Sequence, residues 1–200
     1  MSQSVASTSS SNAPCLYILV GGNGSGKSTY YDLHLRAVVP VFVNADLIAK
    51  EQFGDDAEAK SLEAAKIAED TRYRLVDERV SFCFETVFSH PSKIDFLAHA
   101  KSQGYSIRMV AIYTDNPQLN VARVAQRVQS GGHDVPEQKI IERIARTYAH
   151  VGDAVALCDQ FVLLDNSSAT EPFKLKMAKR DGLWILVDND LPDFAASFRH

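Results

Sequence analysis

The chain has 200 residues, 46% hydrophobic and 23% charged, a balance that builds a soluble globular core and argues against disorder. Its net charge of −4 gives no electrostatic case for nucleic acid as the main partner, and no apolar run is long enough for a membrane span. The three cysteines, Cys15, Cys83 and Cys158, match neither a zinc spacing nor a disulfide framework, and are read as small buried hydrophobes in a reducing compartment.

Residues 1–14, MSQSVASTSSSNAP, lack the charged and apolar regions of a secretory signal. They are read as a disordered leader on a cytoplasmic protein, with a single domain expected over 15–200. CLYILV (15–20) is continuously apolar and reads as a strand covered on both faces. VVPVFV (38–43) is β-branched, and its Pro40 points to an edge strand or a strand start. In 57–79, Ala64, Ala68, Thr71 and Leu75 recur with a helical period. VSFCFETV (80–87) reads as the next strand; Pro91 then opens a helix that Gly104 follows. SIRMVAIYT (106–114) and QFVLLDN (160–166) are further strands. Between them lie two helical segments, one with Val121, Val124, Ala125 and Val128 on its apolar face, the other with Ile140, Ile144, Tyr148 and Val151. At the C-terminal end, 173–188 reads as two strands around Arg180-Asp181-Gly182, a hairpin signal. Strands alternating with helices predict a parallel sheet with right-handed crossovers.

The first strand runs into Gly21-Gly22-Asn23-Gly24-Ser25-Gly26-Lys27-Ser28, a full match to G-x-x-x-x-G-K-[ST], followed by Thr29. Backbone amides must wrap a polyphosphate closely, side chains would block that approach, and several positions need unusual dihedrals, so glycine is favoured. The helix starting near Lys27 aims its positive dipole end at the phosphates. Lys27 would reach the outer phosphates of ATP and Ser28 would ligate Mg²⁺. The nucleotide-binding set is therefore Gly22, Asn23, Gly24, Ser25, Gly26, Lys27, Ser28 and Thr29.

Ligands bind at the carboxyl ends of strands in an open α/β sheet. The run 38–43 ends in Asn44-Ala45-Asp46 and the run 80–84 ends in Glu85-Thr86. Asp46 can accept a proton from a substrate hydroxyl or merely cap a helix; Glu85 stands as the metal-side acid. Thr86 and Ser89 are candidates to meet the acceptor, and Ser89-His90 alternatively only starts a helix. In 120–150, Arg123 and Arg127 lie four apart opposite the valines, and Arg143 and Arg146 lie three apart on the following helix. Arginines on a helical hairpin hinged at Gly131-Gly132-His133 suit a lid that closes over the transferring phosphoryl group, with a solvated basic face as the alternative. His133 is read as packing or capping the lid turn.

The pieces GGNGSGKST, VNADLIA, FETVFS and RVQSGGHDVPEQKIIERIART resemble, in order and over roughly 15–168, the zeta-toxin-like P-loop kinases. The resemblance implies an α/β, three-layer P-loop kinase fold with a parallel five-stranded sheet, a helical lid over roughly 117–136 and here a C-terminal β-hairpin. It implies ATP and Mg²⁺ as cofactors, Asp46 as general base, a substrate or metal role for Glu85, and Arg127 and Arg146 as lid arginines, beside Lys27. It also implies a hydroxylated acceptor such as UDP-N-acetylglucosamine and an inhibiting antitoxin. Two departures bear on the acceptor: the chain is shorter than the larger toxins, and Val87 and His90 stand where close relatives often carry Thr and Gly. A metabolic or nucleotide kinase with another acceptor, and a non-catalytic ATP-binding regulator, are the alternatives.

Overall fold

A computed structural model describes residues 13–129 and 134–199. Most of the leader expected at 1–14 (residues 1–12), and the turn role expected for His133, lie outside the described residues. The chain runs β1 (Cys15–Val20), α1 (Lys27–Tyr30), β2 (Phe42–Val43), α2 (Ala45–Phe53), α3 (Ser61–Asp77), β3 (Phe82–Thr86), α4 (Ser92–Ser102), β4 (Ser106–Tyr113), α5 (Pro117–Gln129), α6 (Glu137–Ala154), β5 (Gln160–Asp165), β6 (Lys174–Arg180) and β7 (Leu183–Val187). A π-helical turn over Tyr31–Leu35 prolongs α1, and a 3₁₀ segment over Asp193–Arg199 follows β7.

The sheet order is β2-β3-β1-β4-β5-β6-β7, with β2 through β5 mutually parallel and β6 and β7 antiparallel. The five-stranded parallel sheet is thus present, and the hairpin extends it to seven strands rather than standing apart. Asp181 and Gly182 both take positive φ, 49° and 82°, the pair of dihedrals a two-residue hairpin of this twist requires. The run 38–43 supplies only two paired residues. Pro40 has no amide for a ladder, and the amides of Val38 and Val39 are taken by the Leu35 carbonyl at the end of the π turn.

Strand alternation divides the core. Leu16, Ile18, Val20, Phe82 and Phe84 face α3, α4, α6 and the C-terminal 3₁₀ segment. Leu19, Cys83, Val110 and Ile112 face Tyr31, Leu35 and Val39 on the other side. These layers make the three-layer α/β fold. A third apolar seam, Val124, Val135 and Ile140, joins α5 to the start of α6, while Ala125 of the expected apolar face is exposed. Cys83 and Cys158 are buried and Cys15 half-buried, all three as free thiols. Burial pushes the Cys158 thiol up to about 12. Among the described residues no helix is long and apolar enough to cross a membrane.

Candidate functional site

β1 ends in the middle of the sheet, so the loop after it sits between the ends of β3 and β4. Two asparagines brace this loop from behind. Asn120 of α5 donates its side-chain amide to the Asn23 carbonyl (2.7 Å), and Asn166, just past β5, donates to the Ser25 carbonyl (2.8 Å). Both are buried. Their closeness adds a second reason for glycine. Gly24 has φ +77° and a Cβ there would stand 2.5 Å from the Asn120 backbone oxygen; Gly26 has φ +98° and a Cβ there would strike the Asn166 amide. The loop is therefore stripped of side chains on its protein side as well as toward a ligand. The buried Asn23 Oδ1 and Ser25 Oγ have no hydrogen-bond partner among the described residues.

Lys27 opens the nine-residue helical segment formed by α1 and the π turn, capped by Gly26. Its Nζ donates to the carbonyls of Gly21 (2.9 Å) and Gly22 (3.0 Å) and lies 3.6 Å from Glu85 Oε1. Burial lowers its pKa, against the opposing pull of Glu85 and Asp46. Ser28 donates its hydroxyl to Glu85 Oε2 at 2.7 Å, and the Asn44 side-chain amide donates to the same oxygen at 3.0 Å. The Ser28 and Glu85 oxygens stand close to the edge of about 2.9 Å expected between neighbouring ligands of an octahedral cation with bonds of about 2.05 Å. No cluster of three or more His, Cys, Asp or Glu among the described residues offers a metal site by itself. A hard cation at this pair would therefore share its shell with phosphate oxygens and water.

Asp46 does not cap α2. Asn44 does, its side-chain oxygen accepting from the amides of Asp46 (2.8 Å) and Leu47 (3.2 Å), which leaves the Asp46 carboxylate exposed in the first turn. Asp46, Lys27, Ser28, Thr29, Glu85 and Thr86 all line one cavity of about 890 Å³. Small-molecule sites span roughly 300–1,000 Å³.

Beyond Thr86 the cavity wall is the segment Val87–His90. Phe88 holds φ 64° there, an unusual conformation for a bulky residue, with its amide on Thr86 Oγ1 (3.0 Å). Thr147 of α6 donates to the Val87 carbonyl (2.8 Å), and the His150 ring stands 3.1 Å from the Phe88 carbonyl. Ser89 lines the cavity. His90 does too, while its Nδ1 also accepts from the Ser92 amide (3.2 Å) and so helps start α4.

Of the basic residues on α5 and α6, Arg123, Arg127 and Arg143 line the cavity; Arg146 is exposed and does not. The rotation of α6 explains this. Thr147 must face the Val87 carbonyl, and Arg143 lies one turn before it on the same face, whereas Arg146 is turned about 100° away. Arg123 donates to the Asn166 carbonyl at 2.9 Å, tying α5 to the brace of the phosphate loop. The bracing asparagines and the Asn44 link are parts of this candidate site that the sequence reading did not single out. Asn44 and Asn166 carried a signal, being polar residues just after strand ends. Asn120, within the first turn of α5, carried none.

The Zeta toxin family model matches residues 2–171. A protein of Haemophilus influenzae, described as uncharacterized, is 29% identical over 117 residues, 58% of this chain and 83% of that one. Among solved structures, a chain of the AvrRxo1-ORF1:AvrRxo1-ORF2 complex with sulphate ions superposes with a TM-score of 0.70 at 15% identity, over 88% of this chain and 61% of its own. The protein thus spans about three fifths of that neighbour's length. A chain of the PezAT chromosomal toxin–antitoxin system of Streptococcus pneumoniae gives 0.56 at 18% identity, over 78% and 68%. At these identities the structural likeness concerns the fold.

Proposed function

The chain belongs to the zeta toxin family, and from that premise we propose that it is an ATP- and Mg²⁺-dependent kinase. It transfers the γ-phosphoryl group of ATP to a hydroxyl of a small acceptor, a nucleotide sugar such as UDP-N-acetylglucosamine. The observation that carries this is the convergence of Lys27, the Ser28–Glu85 oxygen pair and the Asp46 carboxylate on one cavity. A nucleotide-binding switch needs the first two but has no use for an acceptor base.

The loop amides and the α1 end hold the polyphosphate, and Lys27 leaves its two carbonyl partners to meet the outer phosphates. Ser28 and Glu85 would hold Mg²⁺, which would supply charge neutralisation for the phosphates. Asp46 orients the acceptor hydroxyl and takes its proton as the oxygen bonds to the γ-phosphorus and the bond to the ADP oxygen breaks. Arg127 and Arg143 spread the charge of the transferring group, and residues 117–136 act as the lid that brings them in. An inhibiting antitoxin belongs to the same reading, supported by the likeness to a chain of the PezAT toxin–antitoxin system.

The test is incubation with γ-labelled ATP, Mg²⁺ and a panel of UDP-sugars. Labelled product from wild type and none from Asp46→Asn is the expected result. ATP binding without transfer to any acceptor would leave the regulator reading standing instead.

A further inference from the structure

We propose that Arg72 and Lys93 form a subsite for a phosphate ester carried by the acceptor, a role that rests on the kinase reading above. Both side chains line the same cavity as Asp46. The approach is a single face of α3, where Ser61, Ala65, Ala68 and Arg72 follow one another at helical spacing. Three small side chains leave room along that face, and the fourth places a guanidinium at its end.

Arg72 is only 5% exposed. Its guanidinium lies over the rings of Phe84 (5.1 Å) and Phe96 (5.4 Å), and its Nε is buried with no hydrogen-bond partner among the described residues. The nearest carboxylate, Glu69, is 3.9 Å away and 42% exposed, too distant and too wet to satisfy a buried cation. Burial lowers the pKa of Arg72. Lys93, half-buried at the start of α4, lies one turn before Phe96, the ring on which the Arg72 guanidinium rests, and its pKa is lowered by burial and by Arg72 against the opposing pull of Glu69. The one hydrogen-bond partner of its ammonium among the described residues is the Ser92 hydroxyl at 3.3 Å.

A buried guanidinium with an orphaned donor beside a half-buried ammonium is not placed for stability alone, because desolvation and repulsion both cost. A planar guanidinium beside an ammonium matches a phosphate ester: paired donors for two oxygens and two positive charges for a group carrying about −1.5 to −2. A carboxylate carries a single charge and lacks a third oxygen for the ammonium once the guanidinium holds two. The acceptor is thus held by its phosphate at Arg72 and Lys93 while its hydroxyl lies at Asp46.

The test uses the full chain with Mg²⁺ and a saturating non-hydrolysable ATP analogue, so that the phosphate loop is filled. Melting temperature is then followed on adding inorganic phosphate, acetate or chloride at equal ionic strength. Phosphate should raise it by several degrees, acetate and chloride should not, and Lys93→Gln and Arg72→Gln should each remove the rise while the shift from the analogue persists. Should Arg72→Gln fail to fold, Lys93→Gln decides. With a phosphorylated acceptor, Lys93→Gln should raise the acceptor KM about tenfold or more and leave kcat and the ATP KM nearly unchanged. No phosphate effect in wild type, an equal effect in Lys93→Gln, or an equal effect of acetate overturns the subsite, with the kinase reading intact if the analogue still binds. No shift from the analogue itself overturns both.

Discussion

The phosphate loop and the helical pair α5–α6 both bring positive charge to one cavity, but they hold it differently. Lys27 is buried, with two backbone carbonyls and Glu85 around its ammonium, and its loop is tied to the scaffold at Asn23 and Ser25. Arg127 is exposed, on a helix whose seam with α6 is the small cluster Val124, Val135 and Ile140. A loop tied to the scaffold meets the ligand already shaped, with only the Lys27 ammonium left to change partners, whereas charge on a lightly packed helical pair can be brought in at the transition state. The loop should therefore govern ground-state nucleotide binding and transfer together, and the helical pair transfer alone.

The largest effect is expected from Lys27→Ala. Transfer should fall by at least ~10³-fold, ATP affinity should weaken, and the melting temperature should fall, because the Gly21 and Gly22 carbonyls and the Glu85 carboxylate lose their shared partner. Wild-type turnover in this variant would end the claim that the loop works on phosphate. Asp46→Asn comes next, with transfer down by about 10²–10⁴-fold at unchanged ATP affinity. Because Asn44 is the cap, this change leaves α2 untouched, and a melting temperature within 1–2 °C of wild type is expected by calorimetry. Intact transfer would pass the base role to Glu85.

On the helical pair, Arg127→Ala and Arg143→Ala should each lower kcat by about 10²-fold or more while the ATP Kd moves little. Arg146→Ala should change kcat less than about threefold. Equal losses at 143 and 146 would mean that α6 turns on closure; equal losses in kcat and affinity would mean that the two regions do not differ in the way described. Asn166→Ala tests the preformed side by a gentler route. Freeing the Ser25 carbonyl should raise the ATP KM several-fold and cost about 1–3 kcal/mol of stability in urea denaturation.

How much of this was legible in the sequence follows from sequence separation. The phosphate loop could be read because its residues are contiguous and each glycine has a steric reason. The acids could be read because strand ends converge in a parallel sheet. The braces could not: Asn120 and Asn166 meet the loop across 97 and 141 residues, and nothing local marks the contact. Arg143 and Arg146 were equivalent on a helical wheel until the Thr147–Val87 bond fixed the rotation of α6. The hairpin turn was plain from Asp181-Gly182, but its pairing with β5 depends on which edge is open, which no local pattern states.

A modest effect is predicted at Asn44, and it asks whether the preformed side extends to the metal-side acid. Asn44 does two things with one side chain. Its oxygen caps α2, the helix that carries Asp46, and its amide donates to Glu85 Oε2. Serine caps almost as well as asparagine but lacks the reach of that amide, so Asn44→Ser should separate the two roles. The expected result is a near-normal melting temperature, transfer lowered by about 3–10-fold, and a raised Mg²⁺ requirement, because an acid without its orienting donor holds a cation less well. Asn44→Ala should add the loss of the cap, about 1 kcal/mol, seen as a melting temperature lower by roughly 2–4 °C. If Asn44→Ser titrates with Mg²⁺ as wild type does, Ser28 and Lys27 alone position Glu85, and Asn44 is a cap and no more.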